Sequence, residues 1–269
     1  MRVWINGELG RDTVSVFDHG LTVGDGGFET IKLVRGEPFA LTRHLRRLAF
    51  SARGLGLPEP DEEFVRAGVA EALSGAEPWE LGRLRITYTG GPGPLGSDRG
   101  TEGTTTIVIA GEQKPFPATA AVQVVPWPRN ERGPLTGLKT TSYADNVLAL
   151  AYARERGAHE AIFGNLAGNL CEGTGSNVFL VLDGRLVTPT LEGGCLAGVT
   201  RALVLEWVGA EEADVPLEAL RDAEEAFLTS TTRDVQPISL VDGKELPVGP
   251  LTRKAQEIFA LRSAERVDP

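Results

Sequence analysis

The chain carries only two cysteines, Cys171 and Cys195, in 269 residues. That is too few for a disulfide framework, and their separation is not that of zinc ligands, so both are expected to be reduced and structural and no metal site is read. No apolar run approaches the length a bilayer requires, and residues 1–10 contain no apolar signal core. No membrane partner is therefore expected, and a cytoplasmic location is the simplest reading. Clustered positive charge is also missing: 27 Lys and Arg stand against 37 Asp and Glu, a formal charge of −10. Non-specific binding to a phosphate backbone depends on such clusters, so no nucleic-acid partner is expected. Internal repeats and low-complexity segments are absent as well, which excludes solenoids and arrays.

What is present is an ordinary globular composition, 41 % hydrophobic and 24 % charged, with 33 Gly and 17 Pro that point to many tight turns. The length fits one large domain or two intimate ones, and a chain of this size can build a core without staples. In the first part, residues 3–5 read as a strand turning at Asn6-Gly7 into a second arm at 15–18. A strand over 28–34 follows the glycine-rich turn 24–27. Thr42 is expected to cap a helix from Arg43 that ends at Gly54 or Gly56, with Leu45, Leu48, Ala49 and Ala52 on one face. A second helix is expected over 61–73. A strand over 82–89 places Arg83, Arg85, Thr87 and Thr89 on one face, and 104–110 reads as the last strand of this part. Lys114-Pro115-Phe116-Pro117 reads as a stiff linker.

Beyond it, strands are expected at 121–126, 160–163 and 224–229, with a hairpin of 177–182 and 185–188 across Asp183-Gly184. Helices are expected at 143–153, 200–208 (its start marked by Gly198) and 250–262. Strands and helices mix in both halves, which implies two α/β or α+β lobes: a small N-terminal domain over 1–113, a linker over 114–120 and a larger domain over 121–269. Lys139 stands out because it sits behind the turn Gly133-Pro134 and Gly137 at the mouth of a helix. Read alone, it is a solvated lysine.

Gly24-Asp25-Gly26-Gly27-Phe28-Glu29, His44-Leu45-Arg46-Arg47-Leu48, Leu138-Lys139, Cys171-Glu172-Gly173-Thr174-Gly175-Ser176-Asn177-Val178-Phe179, Leu196-Ala197-Gly198-Val199-Thr200-Arg201 and Ser230-Thr231-Thr232 appear in that order. In this order and over nearly the whole length, the chain resembles the class IV aminotransferases. These are the pyridoxal-phosphate enzymes of fold type IV, which include D-amino-acid and branched-chain aminotransferases and 4-amino-4-deoxychorismate lyase. The resemblance implies a two-lobed α/β (α+β) fold with a β-rich C-terminal cofactor domain, pyridoxal 5'-phosphate as cofactor, and a homodimer.

Residue by residue, the resemblance implies that Lys139 forms the Schiff base with the cofactor and shuttles the α-proton, since an amine does both. Glu172 is implied opposite the pyridine nitrogen, where a carboxylate favours its protonated form. The phosphate is expected on Arg47, with Arg46 a near rival, on Val199 and Thr200 at a helix N-terminus, and on Ser230 and Thr231. Tyr143 is placed to approach the cofactor's phenolic oxygen or the substrate, its alternative being a half-buried core tyrosine. Ser176 and Asn177 belong to the same cofactor loop, Asn177 fixing its turn. His44 is expected to pack the first helix, His159 to lie at the surface, and His19 to sit in a loop near the cleft.

On the substrate side, Phe28, Arg85, Thr89 and Thr232 are the expected contacts. One type of D-amino-acid aminotransferase has a tyrosine where Phe28 stands and an arginine where this chain reads Thr89-Gly90-Gly91. Branched-chain enzymes have a glycine where Thr30 follows Phe28-Glu29. A substrate carboxylate still needs a cation, for which Arg85, Arg83, Arg99 and Arg129 are the candidates. The order of readings is a transaminase acting on a D-amino acid and a 2-oxo acid, then the deoxychorismate lyase, then a branched-chain L-amino-acid aminotransferase. A catalytically dead relative serving as a binding protein is opposed by the complete set of lysine, glutamate, arginine and threonine.

Overall fold

The computed structural model describes residues 1–75 and 78–269. They divide into two compact units. The first comprises Met1–Lys114 with Leu138–Tyr143 and Val267–Pro269, and the second comprises Pro115–Gly137 with Ala144–Arg266. Among the described residues no helix is long and apolar enough to cross a membrane.

The first unit contains β1 (Arg2–Ile5), β2 (Glu8–Leu9), α1 (His19–Thr22), β3 (Gly26–Val34), β4 (Glu37–Pro38), α2 (Leu41–Gly54), α3 (Glu62–Leu73), β5 (Leu81–Thr89) and β6 (Thr105–Glu112). The strands form one sheet in the order β2-β1-β6-β5-β3-β4. Asn6 and Gly7 turn the chain with φ of 47° and 94°, so tightly that β1 pairs with the two residues just beyond the turn. Residues 15–18, expected to be the second arm, lie outside the named strands, and Asp18 makes only an isolated bridge to Pro92.

Alternation along β3 puts Glu29, Ile31 and Leu33 on one face. That face meets α2 and α3 through Leu41, Leu45, Leu48, Val65, Val69 and Ala72. Burying each large aliphatic side chain of such a core contributes about 1.5–3 kcal/mol. Trp4 is 1 % exposed in the same cluster, tilted against Phe64 with ring centroids 5.0 Å apart, and its Nε1–H donates to Glu71. α3 lies so close to it that a Cβ on Gly68 would come within 2.7 Å of the indole.

One charged group sits in this apolar layer. Glu29 is fully buried, and its carboxylate accepts from Arg47 Nε at 2.8 Å and Arg47 Nη2 at 2.7 Å. His44 Nδ1 bonds the same carboxylate at 2.6 Å. Burial alone would raise the Glu29 pKa, but the charge and hydrogen bonds of Arg47 and the bond to His44 outweigh it and lower the value from 4.5 to about 2. Burial pushes His44 downward despite Glu29, and the charges of Arg47 and Lys139 add to that. His44 packs α2 as expected from its position, its Nδ1 held by Glu29.

α2 differs from expectation at its start. It begins at Leu41, and Thr42 lies inside it; the residue at the cap, Ala40, has φ 56° and offers no capping side chain. α3 begins as the sequence indicates, with the Asp61 side chain accepting from Phe64 N–H.

The second unit contains β7 (Ala120–Val124), α4 (Ala144–Glu155), β8 (Glu160–Gly164), β9 (Leu170–Gly173), β10 (Asn177–Leu182), β11 (Arg185–Thr188), a 3₁₀ turn (Leu191–Gly193), α5 (Val199–Trp207), β12 (Glu211–Glu212), α6 (Ala219–Asp222), β13 (Glu225–Ser230), β14 (Asp234–Val241), β15 (Lys244–Glu245) and α7 (Pro250–Glu265). Its sheet runs β12-β11-β10-β13-β14-β7-β8-β9, with β15 on β14. The expected hairpin across Asp183-Gly184 is present, with φ of 48° and 69° at the turn, the twist that suits two-residue hairpins.

β14 was not expected, because Pro237 interrupts its apolar run and proline is poorly placed in a central strand. The structure accommodates it because pairing with β7 begins only at Ile238, with a register shift between Ile238 and Leu240. Cys171 and Cys195 are free and buried. Burial raises both thiols, that of Cys195 to about 12, in keeping with structural roles.

Gly68→Ala should cost about 1–3 kcal/mol through overpacking against Trp4, even though alanine favours a helix interior by about 1 kcal/mol over glycine. A urea midpoint at or above wild type would contradict that contact. Because the Glu29 pKa lies below its unfolded value, its stabilisation is complete above about pH 4.5 and lost as pH falls towards 2. Glu29→Gln should therefore destabilise at pH 7 by about 3 kcal/mol, a deficit that shrinks across that window. A deficit independent of pH would refute the charge-based account.

Candidate functional site

In the first unit, Leu138–Tyr143 lies alongside the start of β3. Phe28 N–H donates to Lys139 C=O at 3.0 Å and Thr141 N–H to Gly26 C=O at 2.8 Å, with Gly27 and Thr140 bridged between them. Lys139 N–H donates to Ser51 Oγ of α2 at 3.1 Å. The backbone of Lys139 is thus held by both a strand and a helix, and the residue is half-buried. The solvated reading of an isolated lysine does not describe it.

Its side chain meets an aromatic cluster. Lys139 Nζ lies 4.3 Å from the ring centroid of Phe28 and 5.7 Å from that of Tyr143. The two rings stand edge to face, 5.2 Å apart at 80°. Arg85 lies over Phe28 too, its guanidinium carbon 3.8 Å from the centroid, in contact distance for a cation on a ring face. Arg85 Nε donates to Thr87 Oγ1 at 3.0 Å. Burial lowers the Arg85 pKa, with Tyr143 opposing and Arg83 adding to the shift. The structure thus brings together four residues singled out in the sequence: Lys139, Tyr143, Phe28 and Arg85.

Other expected contacts have different surroundings. Thr89 is buried, donating its hydroxyl to Asp18 Oδ2 at 3.0 Å while Thr105 donates to the same oxygen at 2.7 Å. Arg99 is engaged by Asp25 through Nε and Nη2 and by the carbonyls of Gly56 and Leu55. Arg83 lies at the exposed surface. Of the three candidate arginines in this unit, Arg85 is the one that shares the Phe28 ring with Lys139. His19 is buried in α1, with Nε2 3.0 Å from Pro94 O. His159 is exposed as expected, its Nδ1 accepting from Ala121 N–H.

The second unit gathers the remaining residues around one loop and one carboxylate. Glu172 on β9 is largely buried: Oε2 accepts Leu196 N–H at 2.9 Å and Oε1 accepts Arg129 Nε at 3.2 Å. Arg129 is itself fixed by Asn146 Oδ1 at 2.8 Å and by the face of Phe163, 4.0 Å away. Arg129 therefore orients Glu172 within this unit. The carbonyl of Leu196 accepts from Asn177 Nδ2 at 2.8 Å, so one residue ties Glu172 and Asn177 to the loop that leads into α5.

That loop enters the helix through Gly198, the cap residue of α5, with no capping side chain. A Cβ at Gly198 would lie 2.0 Å from Asn177 Oδ1 and would displace that amide from its place. Val199 and Thr200, both buried, form the first turn. Ser230 ends β13, and Thr231 and Thr232 form the half-buried turn into β14.

Glu160 is the residue that sequence reasoning missed. It is 1 % exposed and accepts from Thr174 N–H at 3.1 Å, from the Thr174 hydroxyl, from Ser176 Oγ at 3.3 Å and from Arg233 Nη2 at 2.8 Å. It therefore joins the turn after Glu172 to the turn after Thr232. An acidic residue opening a fully buried strand was the available signal, since a buried carboxylate must be paired.

Comparison with known proteins shows the family. The family model for amino-transferase class IV matches residues 26–241. A Methanocaldococcus jannaschii protein named as a candidate branched-chain-amino-acid aminotransferase is 33 % identical over 96 % of this chain and 95 % of its own. D-alanine aminotransferase of Staphylococcus haemolyticus is 30 % identical over 96 % of both chains. Among solved structures, a fold IV transaminase of Curtobacterium pusillum superposes with TM-score 0.84 at 34 % identity, covering 94 % of this chain and 92 % of that one. The 4-amino-4-deoxychorismate lyase of Pseudomonas aeruginosa does so with TM-score 0.84 at 30 % identity, covering 99 % and 100 %. The matched span and the near-complete coverage of these relatives lead to one conclusion: the chain belongs to the class IV aminotransferases, enzymes of fold type IV that work with pyridoxal phosphate.

Proposed function

We propose that this protein is a transaminase that moves an amino group between a D-amino acid and a 2-oxo acid, with Lys139 as its catalytic residue. The observation that carries the reading is the meeting of an amine and a guanidinium on one ring. Lys139 Nζ at 4.3 Å and the Arg85 guanidinium at 3.8 Å both lie against Phe28. An amino-acid substrate needs a nucleophilic amine to exchange with and a planar cation for its carboxylate, and this place offers both. D-alanine aminotransferase at 30 % identity supports the D-configuration. A branched-chain L-substrate is the second reading, favoured by the 33 % identical relative.

The residues fit the cofactor. A phosphate dianion suits a helix N-terminus that brings no cap of its own, and α5 is such a helix. The proposal assigns the phosphate to Val199, Thr200, Ser230, Thr231 and Arg47, and the pyridine nitrogen to Glu172, with Ser176 and Asn177 holding the loop around that carboxylate. When bound, pyridoxal phosphate supplies an aldehyde to receive the amino group and a ring to accept the electrons left by the departing α-proton.

The chain's own residues do the rest. Lys139 Nζ holds the aldehyde carbon between turnovers and carries a proton once released. Phe28 and Tyr143 cover Nζ with apolar surface and restrict its approach to water. Arg85, anchored through Nε by Thr87, takes the substrate carboxylate at its terminal nitrogens, with Thr232 as a further contact. Glu172, held by Arg129 and Leu196, keeps a proton on the pyridine nitrogen.

Lys139→Ala should remove the colour of the bound cofactor and lower kcat by at least about 10²–10⁴-fold; a coloured, active variant would contradict the assignment. Arg85→Met should raise KM for the amino donor by roughly 10- to 100-fold, as expected for a charge-assisted carboxylate contact, while Arg83→Met leaves it nearly unchanged. The reverse pattern would move the carboxylate site. Single-turnover spectra with D-alanine, D-glutamate and L-leucine separate the readings. Fast bleaching with a D-substrate supports the proposal, and bleaching with L-leucine alone supports the branched-chain reading. Pyruvate release from aminodeoxychorismate without bleaching identifies a lyase.

A further inference from the structure

The start of α2 is closed by residues more than two hundred positions away. Ala40, at the cap, offers only a methyl group, and a helix start left without an acceptor is weak. Here Val267–Pro269 supplies what Ala40 lacks. Ala40 N–H donates to Val267 C=O at 2.7 Å. Asp268 accepts Thr42 N–H at 3.0 Å on Oδ1 and the Thr42 hydroxyl at 2.5 Å on Oδ2. Arg43 Nε donates to Pro269 C=O at 2.9 Å. Arg66 of α3 donates to the same Thr42 hydroxyl at 2.9 Å, so the clasp is fastened from a second helix. A carboxylate at this end also meets the positive pole of α2.

The clasp continues by hydrogen bonds to the arginine assigned to the phosphate. His44 N–H donates to Ala40 C=O at 3.2 Å, His44 Nδ1 reaches Glu29 at 2.6 Å, and Glu29 grips Arg47 through two bonds. A frayed first turn would release His44 from Ala40, and with it one of the groups that fix the Glu29 carboxylate.

We propose that Asp268 is a positioning residue for Arg47. It caps α2 from the far end of the chain and so sets the affinity of the protein for the cofactor's phosphate. This rests on the assignment of Arg47 to that phosphate. A capping side chain shifts the balance between closed and frayed helix start by about fivefold, and because affinity scales with the competent fraction, about fivefold is the largest loss its removal can cause.

The test compares two ligands on the full-length chain: pyridoxal phosphate, and pyridoxal, which has the aldehyde but no phosphate. Binding is read from the absorbance of the lysine-bound form. Asp268→Ala should weaken pyridoxal phosphate by about two- to fivefold while pyridoxal binding is unchanged, the upper limit being the worth of one cap. Asp268→Asn keeps an acceptor for Thr42 N–H but loses the second oxygen and the charge, so it should restore part of the lost affinity and lie between Asp268→Ala and wild type. Equal losses for both ligands, or no loss for either, would overturn the proposal. Arg47→Ala tells the two levels apart: a phosphate-selective loss there with none in Asp268→Ala refutes the clasp alone. No selective loss in Arg47→Ala refutes the phosphate assignment and the clasp together.

Discussion

The pairing of residues 138–143 with the edge of β3 is the constraint from which the chemistry of the first unit follows. Lys139 comes from a segment whose neighbours in sequence belong to the other unit, yet its N–H and C=O are both bonded within the first. Two backbone bonds fix where the side chain leaves the main chain, and the rings of Phe28 and Tyr143 lie beside its amine. Phe28 is the next residue after the bridge, and so its ring lies under Nζ by register. Arg85 reaches the same ring because the face of β5 that carries it is set by the full antiparallel register with β3. A one-residue slip would turn these side chains to the opposite face of the sheet.

Three buried carboxylates do comparable work elsewhere, each by joining segments distant in sequence. Glu29 holds Arg47 and His44 on a helix. Glu160 ties the turn after Glu172 to the turn that contains Thr232. Asp18 collects the hydroxyls of Thr89 and Thr105. Each has to be paired, since a lone buried charge is costly, and removing one partner costs more than the pair contributes. The protein is strongly acidic overall, at −10, yet the residues proposed for anionic groups are arginines, hydroxyls and a helix start. Net charge thus describes the exterior and says little about the site.

Much of this was legible in sequence. The hairpin at Asp183-Gly184, the amphipathic helix carrying Arg47 and the alternation of β3 all follow local rules, and the ordered motifs identified the family. What was not legible depends on long-range pairing. Glu29 meets Arg47 across 18 positions, Arg129 meets Glu172 across 43 and Arg233 meets Glu160 across 73, separations with no local period. Thr42 reads as a helix cap because threonine before an apolar periodicity is a capping signal, whereas the acceptor at this helix start comes from Asp268, 226 positions away. β14 is hard to read because Pro237 suits a strand only on a side without a ladder bond, here the β7 side, where pairing begins at Ile238 while β13 already lies opposite on the other side. Arg129 was read as a cation for substrate because its carboxylate partner is invisible from sequence.

Lys139, held between β3 and α2, is the residue proposed to bind the cofactor. Reducing the holoenzyme with borohydride and mapping its peptides by mass spectrometry tests this directly. The account predicts the pyridoxyl group on Lys139 alone. Attachment to Lys32, Lys114, Lys244 or Lys254 instead would contradict it.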